Sequence, residues 1–357
     1  MGVSVPATVA PRRLVHALLF AGAVAACLLA LAFGAVDLTP AQVLAALLDP
    51  ESPDAAIIRE LRVPRIALGF GVGGALAVAG AALQAVVGNP LAEPWLLGIS
   101  GGAGLGAVLA VVIGLPPGWS VAACATLGAL AAIALVYRVS LVAGRRVDPR
   151  VLILDEPASG LDPRAAGRRV DPRVLILAGV VVGAFASAVS AAILAVTDPF
   201  TFRAAALWLF GGFAGASWSA VGRFALAAVP ALLVLGWLAR GLDLLALGDD
   251  TALALGADAS RVRRLAIVAT AVLTAASVSV AGVIGFVGLA VPHGLRWTGG
   301  PRQRGVVPAA FIAGGAFAVL ADAGARTVLA PAELPVGVIT ALVGVPIFAM
   351  LLRRSAS

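Results

Sequence analysis

The chain has no lysine in its 357 residues. A phosphate-binding loop of the GxxxxGK[ST] kind needs that lysine to reach the β- and γ-phosphates of a nucleotide, so this chain cannot hydrolyse ATP by itself. Charge of either sign is scarce, at 12% of residues, where soluble domains carry about 25%. Cysteine is nearly absent: Cys27 and Cys124 each lie inside an apolar run. Such positions suit small buried hydrophobes, not a metal or redox role, and no metal site is expected.

Hydrophobic residues fill the space instead, at 61% of the chain with a mean hydropathy of +1.06. Soluble domains are about 45–50% apolar, so this is an integral membrane protein. A span takes about 20 apolar residues, which leaves room for roughly ten. An open sheet cannot satisfy its backbone in lipid, and the runs are too long for barrel strands, so an all-α protein of about ten transmembrane helices is predicted. The runs fall at 14–36, 65–88, 94–114, 118–142, 174–196, 222–240, 264–284, 285–297, 306–327 and 334–352. The eighth is short and holds Pro292, as a broken half-span does. Residues 198–215 are apolar but interrupted by Arg203 and paired glycines, and read as a short helix at the outer face. The first run exceeds the apolar core of a signal peptide, about 7–15 residues, and reads as a retained span.

Arginine placement orients the bundle. With the N-terminus inside, nineteen arginines fall on cytoplasmic segments and six outside. That bias puts both termini in the cytoplasm of a multi-pass protein of the cell membrane. The net charge of +7 is then a topology signal, with no nucleic-acid partner implied.

One segment does not fit the pattern. The twelve residues AGRRVDPRVLIL at 143–154 recur unchanged at 166–177, 23 residues on. Between the copies, VLIL followed by Asp155 and Glu156 resembles the Walker B strand of an ABC ATPase, and SGLDPR resembles its D-loop. Without a Walker lysine or an LSGGQ stretch, the two carboxylates have no phosphates to act on. Removing one repeat restores a short loop into an apolar span. Residues 143–165 therefore read as a duplicated or inserted cytoplasmic segment in an otherwise single transmembrane domain, 1–357.

Five stretches carry a family resemblance: LRVPR at 61–65, LQAVVGNPLAEPWLLGISGGAGLGAV at 83–108, LALGDDTALALGADASRVRRL at 245–265, GVIGFVGLAVPH at 282–293 and APAELPVGVITALVGVPIF at 330–348. In this order they resemble the permease subunits of type II ABC importers, the FecCD-type family that moves ferric siderophores, haem and vitamin B12. The resemblance implies a ferric siderophore as first substrate, with vitamin B12 or haem as the alternative. It further implies dimerisation with itself or a paralogue, a separate ABC ATPase subunit that binds the ATP and Mg²⁺, and an extracytoplasmic substrate-binding protein. No cofactor is expected on this chain. The pathway would run between subunits beside the fifth span, the short outer helix and the last span.

Site residues follow. In NPLAEPWLLGISGGAG, Pro90 and Pro94 break the helix and Asn89 satisfies freed backbone groups, while Gly98, Gly101, Gly102, Gly104 and Gly106 permit close helix approach. Tight packing at a bend and lining of the pathway are equal readings here, Ser100 included. Gln84 reads either as pore-lining or as an interhelical hydrogen-bonding residue. Gly248, Asp249, Asp250, Leu255, Gly256, Ala257, Arg261 and Arg263 form the ATPase-coupling element. Asp249, Asp250 and Thr251 signal a helix start, Gly256 a stop, and Asp258 or Ser260 the cap of a second short helix. Arg62, Arg65 and Arg326 match arginines that in the family face glutamates of the binding protein, although Asp322 stands four residues before Arg326 and offers it an internal pair. Glu93 and His293 could suggest a proton relay. Both lie in proline-containing motifs near helix ends, where a cap or hinge is the better reading; a proton-coupled transporter places ionisable groups nearer the midplane.

Overall fold

A computed structural model describes residues 12–34, 38–116, 118–143, 172–299 and 303–355. Among the described residues there are thirteen α-helices and no strand: α1 Arg12–Ala32, α2 Pro40–Leu48, α3 Val63–Val87, α4 Ile99–Val112, α5 Trp119–Ala143, α6 Pro172–Ala195, α7 Pro199–Leu209, α8 Trp218–Leu245, α9 Asp249–Ala254, α10 Ala259–Ala281, α11 Val287–Gly299, α12 Gln303–Thr327 and α13 Val336–Ser355. Seven helical stretches are long and apolar enough to cross a membrane. With α4, α11 and α13 they account for the ten expected runs. Asp155, Glu156 and most of the first repeat copy lie outside the described residues. In the second copy, the word PRVLIL opens α6 and buries Leu175. It becomes helix and not strand because some twenty apolar residues follow it without a break.

Position in the bundle follows from side-chain size. The most apolar window of the α3 stretch is 78% buried, against 22% for α1. Lipid is as apolar as leucine, so helices associate through close van der Waals approach and not through expulsion of water. The small residues of α3 permit that approach to α8, α10, α11 and α12. A Cβ on Gly80 would strike the carbonyl of Gly288 in α11. Helices α1, α5, α6 and α8 instead leave large hydrophobics such as Leu28, Leu127, Phe185 and Trp237 uncovered, as a surface facing lipid or another subunit does.

Local signals set many ends. Asp198 caps α7 by accepting from the N–H groups of Phe200 and Thr201 at 3.0 and 3.1 Å. The hydrogen bond from the Thr201 side chain, with these backbone bonds, holds its carboxyl below the usual aspartate range. Thr39 and Gln42 form a capping box on α2, a helix the apolar runs did not mark because it is only nine residues long. The run 94–114 is not one helix: Pro94–Leu97 forms a 3-10 turn, Gly98 takes φ +73°, and α4 starts after it. A π-helical turn, Ile57–Arg62, leads into α3.

Candidate functional site

Three arginines marked in the sequence converge at one end of the bundle. Arg62 donates to the carbonyls of Leu31 and Ala32, the latter at 3.0 Å, and Arg326 donates from Nη2 to Ala30 at 3.3 Å. These carbonyls end α1 and have no partner within their own helix; cations there also meet the negative end of its dipole. Arg65 grips Asp322 through Nε and Nη2 at 2.9–3.0 Å and Glu333 through Nη1 and Nη2 at 3.2 and 2.9 Å. Asp322 holds Arg326 as well, at 3.1 Å. One buried carboxylate thus joins α3 and α12 through Arg65 and Arg326, while α1 is held by Arg62 and, again, by Arg326. The internal pair that Asp322 offered Arg326 is present, and Asp322 takes Arg65 as well. Arg62 and Arg326 are buried, drawn in by backbone carbonyls and Asp322; Arg65 approaches the surface through Glu333, whose side chain is 38% exposed.

Deeper in, the polar residues tie helices together. Gln84 on α3 is buried; its Nε2 donates to the Gly288 carbonyl at 3.3 Å and its Oε1 accepts from Arg296, both on α11. Of its two readings, the interhelical bond is the one its surroundings support. Asn89 and Pro90 are exposed in the turn after α3, where Asn89 Oδ1 accepts from the Leu91 N–H at 2.8 Å. Glu93 does not cap the 3-10 turn that it precedes. Its carboxylate instead accepts from the N–H of Phe286 at 2.7 Å, just ahead of α11, where a carboxylate also meets the positive end of the helix dipole. Phe286 is held there with φ +67°, a conformation non-glycine residues rarely adopt. His293 stacks edge-to-face on Phe348 of α13, ring centres 6.0 Å apart.

Beside this turn, α4 and α6 meet backbone to backbone. A Cβ on Gly101 would come within 2.8 Å of the Gly183 carbonyl, and one on Gly98 within 2.7 Å of Gly179. Ser100 is buried next to them. Two cavities of about 240 and about 170 Å³ open along this seam. Trp95 lines both and is itself half exposed. The sequence reading passed over Trp95, although a tryptophan between Pro94 and a glycine-rich helix start was a visible signal.

The α8–α10 corner lies at the other end. Trp218, which opens α8, donates to the Arg59 carbonyl near the arginine cluster; the 28 residues of α8 then rise about 40 Å. At that far end Gly248, φ +102°, precedes α9, with Asp249 and Asp250 as its first residues. Gly256 has φ +79° and Ala257 follows it. Asp258 caps α10 through the Arg261 N–H at 2.9 Å. The expected helix start at Asp249 holds, since α9 begins there. One expectation is corrected: the second helix is no short element but the start of α10, because the apolar run after Arg264 carries it on into the bundle. Ala252 pins α9 to the core, whereas Leu247, Leu253 and Leu255 are 64%, 44% and 59% exposed. Arg261 is exposed beside them and Arg263 half-buried.

The comparisons with known proteins agree with this geometry. The profile of the FecCD transport family matches residues 22–155 and 164–354; the gap between the two matches falls between the two copies of the repeat. The vitamin B12 import system permease protein BtuC of Salmonella schwarzengrund (strain CVM19633) is 38% identical over 299 residues, 83% of either chain, and that of Salmonella typhi is 37% identical over the same span. A solved structure of an ABC transporter assigned to the metal-chelate type, in an inward-facing conformation, superposes with a TM-score of 0.81 and 26% identity over 96% of this chain and 100% of that one. PsaBC from Streptococcus pneumoniae in complex with Fab shares the fold at 13% identity, TM-score 0.53, over 83% of this chain and 93% of that one. The BtuC relatives are permease proteins of an import system, and an all-helical multi-pass chain with the five motifs in order matches them over most of its length: the chain belongs to the FecCD transport family and is an ABC importer permease.

Proposed function

We propose that this permease carries a large metal chelate of the corrinoid kind, as the BtuC relatives do by name, drawing energy from a separate ATPase that docks on α9. The observation that carries the docking is the α8–α10 corner. Leu253 in α9 and Leu247 and Leu255 on either side of it stand uncovered, while Ala252 fixes the helix in the core, and a patch of that kind marks a protein contact. The ATPase would supply ATP and Mg²⁺ chemistry at that corner. A substrate-binding protein would meet the opposite, extracytoplasmic end, where the exposed Glu333 and the underlying Arg65 offer charge for steering and register. Both chain termini would then be cytoplasmic. Pairing with itself or a paralogue would bring α6, α7 and α13 to the two-fold axis, with the cargo passing along the α4–α6 seam. A ferric siderophore is the second reading, favoured by the metal-chelate structure that this fold matches. Uptake into proteoliposomes holding the complete importer decides between them. Labelled cyanocobalamin should accumulate with ATP and a ferric siderophore should not; the reverse result would replace the corrinoid reading.

A further inference from the structure

The two cavities at the α4–α6 seam share Trp95, Gly101 and Ser187. The larger continues along α6 to Ser190 and Leu194 and touches Leu209 of α7 and Val283. The smaller runs the other way, to Gly179, Val180 and Gly183 near the start of α6. They are successive chambers of one groove, and Trp95 stands where they meet. We propose that the Trp95 indole is the constriction that separates these chambers and so holds the passage shut between transport events. This rests on the reading of the seam as the cargo path.

Three observations support it. The ring belongs to a 3-10 turn of four residues, short enough to swing without unwinding a span. That turn is anchored at its start: Glu93, two residues before Trp95, is fastened to the Phe286 N–H at the head of α11, so a shift of α11 against α4 moves the indole. The neighbouring wall has no bulk to close the groove itself, since Gly101 and Gly183 touch backbone to backbone. A tryptophan presents about 200 Å² of surface, and the chambers contain no other aromatic ring among their lining residues. Since the lining also carries no charged side chain, closure here is steric and not electrostatic.

The test reads solvent access and needs no cargo. With Cys27 and Cys124 replaced by alanine, Ala191→Cys reports the chamber toward α7 and Val180→Cys the chamber at the start of α6. The complete transporter is reconstituted without nucleotide and treated with a membrane-impermeant methanethiosulfonate from one side at a time. Each cysteine should react from one side only, and the two from opposite sides. Adding Trp95→Ala should abolish that sidedness, while Trp95→Phe, which keeps an aromatic ring, should retain it. Trp95 is half exposed, so its truncation spares the core, and unchanged ATP hydrolysis by the assembled complex checks that it does. If sidedness survives Trp95→Ala, or is absent with Trp95 in place, the constriction lies elsewhere and the proposal falls. If neither cysteine reacts from either side, the seam is dry, and the cargo-path reading falls together with it.

Discussion

The two ends of this permease treat their functional residues in opposite ways. At the arginine end, Arg62, Arg65 and Arg326 satisfy one another's surroundings: carbonyls of α1, the buried Asp322 and the rim Glu333 use up most of their donors. At the α9 end, Leu247, Leu253 and Leu255 face outward with nothing covering them. A surface whose charges are already paired inside binds a partner by exchange and so binds reversibly, whereas an uncovered apolar corner gains from every contact that removes it from water. On the proposed reading, a receptor that must dock and leave suits the first, and a motor that must stay attached through its cycle suits the second.

The largest effect should come from the apolar corner. Changing Leu253→Asp together with Leu255→Asp adds charge at exposed positions, so the protein should still insert. ATP-driven uptake should drop to background while the isolated ATPase keeps its turnover. Normal uptake would remove α9 from the motor contact and undo the contrast between the ends.

Next is Asp322→Asn at the other end. The change leaves two buried or half-buried guanidiniums without their shared carboxylate, and breaking a buried pair on one side costs about 3 kcal/mol. Thermal unfolding in detergent should occur at a clearly lower temperature. An unchanged transition would mean that the network does not hold α1, α3 and α12 together.

The smallest effect is at the rim. Glu333→Gln should release Arg65 toward a partner's carboxylate, raising binding-protein affinity roughly twofold, the scale of an exposed ion pair. The gain should shrink with added salt. Calorimetry at two ionic strengths measures both; a loss of affinity would show that Glu333 itself contacts the partner and that the exchange picture is wrong.

Much of this was legible before any coordinates. The apolar runs located the membrane helices within a few residues, the interrupted stretch after Asp198 yielded α7, Pro292 marked the shortened α11, and Gly256 stopped α9 where expected. These features depend on neighbours in the chain, since hydrophobic length, caps and positive-φ glycines act over one to six turns of backbone. The burial of Arg62 and Arg326 and the place of Trp95 on both cavities were not legible. Their surroundings are set by residues far away in sequence.

By itself, then, the amino-acid order determined that the chain is a multi-span helical membrane protein and where most of its spans lie. Tertiary structure alone decided that Arg65 meets Asp322 across 257 residues, that Glu93 fastens to Phe286 across 193, and that Trp95 stands between two chambers. The physical reason is the different reach of the forces. Partition into lipid and backbone hydrogen bonding are settled within each segment. A buried polar group, by contrast, must find its partner on another segment, and the steric fit of glycines such as Gly80 against Gly288 selects which segment that is.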